Sequence, residues 1–143
     1  MNEAGLWQLV KKNVFGHLIR VENTSGSGTP DVHACFKGHE TWIELKVAKG
    51  NWLHFRSSQI AWFHKRVIGH EGACAVLWRD KDDICFTAAR NICINLDNAV
   101  PAKDRKSCKI PIEIIDHEKF EKPWDWPKIS EKLYSTMYKL KYI

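Results

Sequence analysis

From Asp31 to Val47 the polarity of the side chains alternates residue by residue, and only extended strands turn that period into two distinct faces. Thr41 to Val47 puts Ile43, Leu45 and Val47 on one face and Trp42, Glu44 and Lys46 on the other. Asp31 to Phe36 reads as a partner strand, with Val32, Ala34 and Phe36 on one side and Asp31, His33 and Cys35 on the other. Lys37-Gly38-His39 supplies turn chemistry between them. A hairpin whose apolar faces coincide must gather Asp31, Glu44 and Lys46 on the opposite face.

That gathering has chemical consequences. Two carboxylates held side by side repel each other, and something must neutralise them. A hard divalent cation such as Mg²⁺ does so with oxygen ligands while keeping several waters. The backbone carbonyl of Leu45, between Glu44 and Lys46, is a natural further ligand. Lys46 then stands where it can orient or deprotonate a water, or stabilise negative charge developing on a phosphate. A Glu-x-Lys tripeptide alone is more often a surface pair on an edge strand. Pro30-Asp31 on a pairing strand, with apolar residues around it, turns the reading toward chemistry.

Residues 3–14 read as an amphipathic helix capped by Asn2, with Glu3, Trp7, Val10 and Val14 on one stripe, widened by Leu6 and Leu9. Glu3 heads the buried face, where it either meets a metal or cation or simply favours the N-terminal dipole. His17 to Glu22 reads as a strand. Glu22 competes with Glu3 as a third carboxylate, and Arg20 either holds a phosphate or forms a solvated pair with Glu22. The loop 23–29 contains Ser25 and Ser27 and is either a connector or a place where backbone N–H groups approach a phosphate. Residues 48–55 are expected as a loop. Its Lys49 and Trp52, with Arg56 just beyond, could receive a nucleic-acid backbone or stack on bases, and core packing is the alternative for Trp52. A helix over 59–68, capped by Ser57 or Ser58 and ended by Gly69, buries Ile60, Phe63, Val67 and Ile68. Its Lys65 and Arg66 read as a solvated face, and Gln59 as a first-turn surface residue. Strands are expected at 73–79 and 84–87, a short helix at 88–96, a further strand at 109–115 and a helix at 129–139. The polar stretch 98–107 carries Lys103, Arg105 and Lys106 and reads as an exposed loop usable for phosphate contact. Trp124 and Trp126 read as packing residues, with a wedge at a DNA junction or a dimer seal as the alternative.

Gly28-Thr29-Pro30-Asp31, twelve intervening residues and Glu44-Leu45-Lys46 together resemble the PD-(D/E)XK nuclease signature. The wording is similar to that of virus-type replication-repair nuclease domains (VRR-NUC) and of archaeal and phage Holliday junction resolvases. Arg20-Val21-Glu22-Asn23 and the Ser/Gly loop after it also resemble small phage-type nucleases. The resemblance spans about residues 1 to 80. It implies a restriction-endonuclease-like α/β fold with a mixed central sheet flanked by helices. It assigns the acid on the first helix, Glu3, to the metal site, and Gln59 to a glutamine that supports the active site. It also implies branched DNA as substrate, above all four-way junctions, whose two symmetric cuts call for a homodimer.

A length of 143 residues with 44% apolar content suits one domain with a sizeable core. The expected organisation is a single nuclease domain over 1–143, with its core at about 1–96 and a C-terminal extension over 97–143. The net charge of +5 suits a polyanionic partner. No apolar run is long enough for a membrane span, no signal-peptide layout opens the chain, and the odd set of five cysteines lacks a C-x-x-C. These features lead us to expect a cytoplasmic protein with reduced thiols and no structural zinc. The expected activity is an Mg²⁺- or Mn²⁺-dependent endonuclease that hydrolyses DNA. Alternatives are a monomeric flap, nick or general duplex nuclease, and a non-catalytic nucleic-acid-binding module. A basic packaging accessory protein is a third.

Overall fold

Glu3–Asn13 forms the first helix (α1), its N-terminus closed by Asn2, whose side chain accepts from the Gly5 N–H at 2.8 Å. The computed structural model describes residues 1–22, 27–99 and 107–141. After α1 come strands His17–Arg20 (β1), Val32–Phe36 (β2), His39–Val47 (β3) and Trp52–Arg56 (β4), then helix Ser57–Phe63 (α2). The helix widens into a π-helical turn, His64–Ile68, that ends at Gly69. Strands Cys74–Asp80 (β5) and Asp83–Ala88 (β6), helix Ala89–Ala99 (α3) and strand Ser107–Pro111 (β7) follow. A 3₁₀ turn at Ile112–Ile114, strand Glu118–Phe120 (β8) and helix Trp126–Lys141 (α4) complete the order.

Six strands form one mixed sheet in the order β1-β2-β3-β5-β6-β8, while β4 and β7 pair separately as an antiparallel ribbon. Only β3 and β5 run parallel, joined by a crossover through β4 and α2. The expected alternation in β3 is realised because both faces of the sheet are covered. Ile43 and Leu45 pack with Val32, Ala34, Ala75 and Leu77 beneath Leu6 and Val10 of α1 and Ile129 and Leu133 of α4. The other face packs Val76, Trp78 and Cys85 against Phe63 of α2, Ile92 and Leu96 of α3, and Leu53 and Phe55 of the ribbon. With helices on both sides, β5 is buried from Cys74 to Arg79, as an apolar run in a covered sheet should be. This is the α/β architecture expected from the sequence, a mixed central sheet flanked by helices.

Several local expectations are corrected. Residues 48–55 contain a strand rather than only a loop: Leu53 and Phe55 point inward and pair across to Ile110 and Cys108. The partner lies some fifty residues downstream, outside the reach of local pattern. Neither Ser57 nor Ser58 caps α2; the helix starts at Ser57, and the Gln59 side chain accepts from the Arg56 N–H at 2.9 Å. The strand expected over 109–115 runs Ser107–Pro111 instead, because a 3₁₀ turn begins at Ile112. Ile68 is exposed, since the π-helical turn rotates it off the buried stripe. Beyond residue 97, β7 completes the ribbon, β8 adds the sixth strand, and α4 covers the sheet. Trp124 and Trp126 pack edge to face, with Trp124 Nε1 donating to the Asp82 carbonyl at 3.0 Å. All five cysteines remain thiols; Cys35 is half-buried, and Cys74, Cys85, Cys93 and Cys108 are buried. No helix among the described residues is long and apolar enough to cross a membrane.

Candidate active site

The β2–β3 ladder ends at the pair Val32–Ile43. Continued by one more step on the same edge, its register would bring Pro30 opposite Leu45, and Pro30 has no N–H to offer the Leu45 carbonyl. The Leu45 N–H is instead taken by the side chain of Asp31, whose Oδ2 accepts it at 3.0 Å. Asp31 thus sits just outside β2, which starts one residue later than expected from sequence. It replaces a missing strand residue and leaves a backbone carbonyl beside its own carboxylate.

Glu44, on the face of β3 toward α2, is only 1% exposed. Gln59 in the first turn of α2 reaches back over it, donating from Nε2 to Glu44 Oε2 at 3.4 Å. The same Gln59 accepts at Oε1 from Lys46 Nζ at 3.0 Å and from the Arg56 N–H. One amide therefore joins the acid, the lysine and the helix start. Lys46 Nζ also lies 4.9 Å from the centre of the Phe55 ring, a cation–π contact that further restricts it.

These residues line an open hollow of about 280 Å³ with Glu3, Lys49, His54 and Arg56. The structure thus brings together Asp31, Glu44, Lys46, Gln59, Glu3, Lys49 and Arg56 from the sequence-derived set. Between the two candidates for a third carboxylate, Glu3 lines the hollow and Glu22 does not. Arg20 lies elsewhere, its guanidinium 5.7 Å from the Trp7 ring centre on α1. Trp52 is 43% exposed and outside the hollow, and Ser27 lies in a separate groove. Ser25, Lys103, Arg105 and Lys106 fall outside the described residues. His54, which the sequence reading left without a role, is the addition. Alternation against buried Leu53 and Phe55 sets it on the same side of β4 as Arg56, and that alternation was the signal available.

The electrostatics are uneven. Burial pushes the Glu44 carboxyl well above its ordinary pKa, and the hydrogen bond and charge of Asp31 push it the same way. Lys46 opposes the shift, while Glu3 adds weakly to it. The His54 pKa is lowered, first by burial and then by Lys109, Lys49 and Lys46, which keeps the ring neutral at pH 7.

A buried carboxylate forced toward protonation beside a second carboxylate fits a divalent cation, which reverses the cost of ionising both. Among the described residues no three His, Cys, Asp or Glu side chains gather as a ready metal cage. Asp31 and Glu44 offer carboxylate oxygens to the hollow, which suit a hard ion that retains water.

No family model matches the chain. No curated protein matches it either. Among solved structures, it is similar to Hjc, a Holliday junction resolvase of the archaeal hyperthermophile Archaeoglobus fulgidus, at a TM-score of 0.51 and 18% identity. The match covers 79% of this chain and 90% of that one. At this identity the likeness is one of fold, and the restriction-endonuclease-like architecture is the fold the two share.

Proposed function

We propose that the protein is a divalent-metal-dependent endonuclease that hydrolyses DNA phosphodiester bonds, with branched DNA as its substrate. The observation that carries this reading is the joining of Glu44 to Lys46 by Gln59, with Asp31 lining the same hollow as Lys49 and Arg56. Asp31, Glu44 and the Leu45 carbonyl would hold Mg²⁺ or Mn²⁺, with Glu3 of α1 as a further carboxylate in the same hollow. Such an ion, when bound, acidifies a water and offsets charge on the phosphate. Lys46, restrained by Gln59 and Phe55, holds the attacking water in line and stabilises charge on the phosphoryl oxygens. Lys49 and Arg56 position the backbone on either side. The fold shared with a Holliday junction resolvase supports a four-way junction as the preferred substrate, and two symmetric cuts would then require two copies of the chain.

The test uses end-labelled synthetic DNAs: a four-way junction, a flap, a nicked duplex and a linear duplex. Each is incubated with Mg²⁺, Mn²⁺ or EDTA. Paired, symmetric cuts at the junction are expected, abolished by EDTA and by Glu44→Ala. Lys46→Ala should lower the rate by about 10²- to 10⁴-fold, the usual span for a positioned proton-handling group. Cutting of flaps or nicks alone would retain the nuclease and remove the junction preference. Binding without cutting in either metal would leave a nucleic-acid-binding module, and a strict monomer on the junction would remove the dimer.

A further inference from the structure

Farther along α2 and its π-helical turn lies a second, larger groove of about 550 Å³. One bank is the stretch just before Asp31, with Ser27 and Thr29; the other carries Trp62, Lys65, Arg66 and His70. The banks are fixed against each other at Gly28, where an added Cβ would meet the Ser58 carbonyl oxygen at 2.0 Å. The loop that delivers Asp31 thus rests directly on the start of α2, and groove and hollow share that wall.

Of the two basic side chains here, Arg66 is the one held in place. Arg66 lies with its guanidinium 5.0 Å from the Trp62 ring centre, and its stem covers Gly72, where a Cβ would come within 2.8 Å. The Gly72 N–H closes the turn onto the Arg66 carbonyl at 2.8 Å. The π-helical turn starting at His64 allows this seat: its extra residue per turn keeps Val67 in the core while Lys65 and Arg66 stay on the groove side. An arginine held on an aromatic face has already lost much of its side-chain freedom, so it engages a phosphate at a lower entropic cost. Beyond Arg66 a smaller hollow holds Glu40, which ends the positive run.

We propose that this groove holds the phosphodiester backbone of the DNA strand leaving the active site, with Lys65 and Arg66 as its phosphate contacts. This rests on the reading of the protein as a DNA nuclease and extends its binding surface beyond Lys49 and Arg56. Arg56 and Arg66 stand ten residues apart along the helix and its π-helical turn, about 15 Å. At about 3.4 Å per nucleotide step, that is about four nucleotides of one strand.

The test measures binding of a fluorescein-labelled four-way junction to the full chain in EDTA, across a series of salt concentrations. Lys65→Gln with Arg66→Gln removes both charges while leaving a stem at Arg66 to pack on Trp62 and Gly72. The control, Lys11→Gln with Lys12→Gln, removes equal charge from the exposed side of α1. The groove variant is expected to bind at least about tenfold more weakly, and to flatten the slope of log affinity against log salt by about 2. The control should stay within about twofold, with its slope unchanged. Equal losses in both variants would overturn the proposal, because general charge would then explain them, as would an unchanged slope in the groove variant. Either result leaves the nuclease reading intact if the wild-type chain still cuts. A wild-type chain that neither binds nor cuts any of the DNAs would overturn both.

Discussion

Ionising Glu44 in its buried setting costs the fold stability. Its folded pKa is raised above the unfolded value, so the stability tied to its neutral form is fully present below about pH 4.5 and is lost as pH rises through the folded pKa. Glu44→Gln keeps the shape and removes the ionisation. In EDTA the variant should melt several degrees above wild type at pH 7, with the gain shrinking to nothing as the buffer is lowered to pH 4. Equal melting temperatures at both pH values would show that Glu44 is not the strained group. The same carboxylate was readable without a structure. Asp31, Glu44 and Lys46 lie on two short strands joined by a turn, and a period of two within sixteen residues places all three. Gln59 was placed by family resemblance alone, since nothing local shows that its amide faces two side chains of another strand. His54 was given no role of its own, and Arg66 was read as part of a solvated face, for a similar reason: each gains meaning only from an element far away in sequence.

Among the elements, the one that fixes the site is the short connection from Gly28 to Asp31. Gly28 has φ of +77° and no room for a side chain against α2, whereas Gly38 in the β2–β3 turn has φ of +80° and open space around it. The two backbones are equally unsuited to alanine, so the pair separates strain from contact. Gly38→Ala should cost about 1–2 kcal/mol of stability, the ordinary penalty of a left-handed residue. Gly28→Ala should cost more, about 3 kcal/mol, and should also depress cleavage because Asp31 moves with the loop. Chemical denaturation of both variants beside wild type checks this; equal losses would mean that the loop yields freely. Strands β2, β3, β5 and β6 were legible in the sequence because each carries its own period or apolar run. The β4–β7 ribbon was not, since its pairing spans residues 52 to 111 and an isolated five-residue strand is indistinguishable from an aromatic loop. The π-helical turn left no local mark either, because its cause is the packing of Val67 and the closure at Gly72.

At the level of the whole molecule, charge and fold answer different questions. A net charge of +5 suits a polyanionic partner but says nothing of where it lies. The fold gathers Lys49 and Arg56 at the hollow and Lys65 and Arg66 at the second groove. The four buried thiols give this arrangement a set of internal clocks. Burial raises the Cys74 pKa well above its ordinary value and pushes that of Cys85 up to about 12, so neither reacts until its own part of the structure opens. Cys35, half-buried on β2, should label first on exposure to an alkylating reagent. Cys108 reports on the ribbon, Cys93 on α3, and Cys74 and Cys85 on the central strands. Followed by mass spectrometry, the order in which the masses shift becomes a map of local opening free energies. The expected order is Cys35 first, Cys108 next, and Cys74 and Cys85 last; early labelling of Cys74 would contradict the central place of β5. If Cys108 falls well before Cys74, the strand carrying His54 and Arg56 lifts off while the strand carrying Glu44 stays in place, and one wall of the hollow is a door.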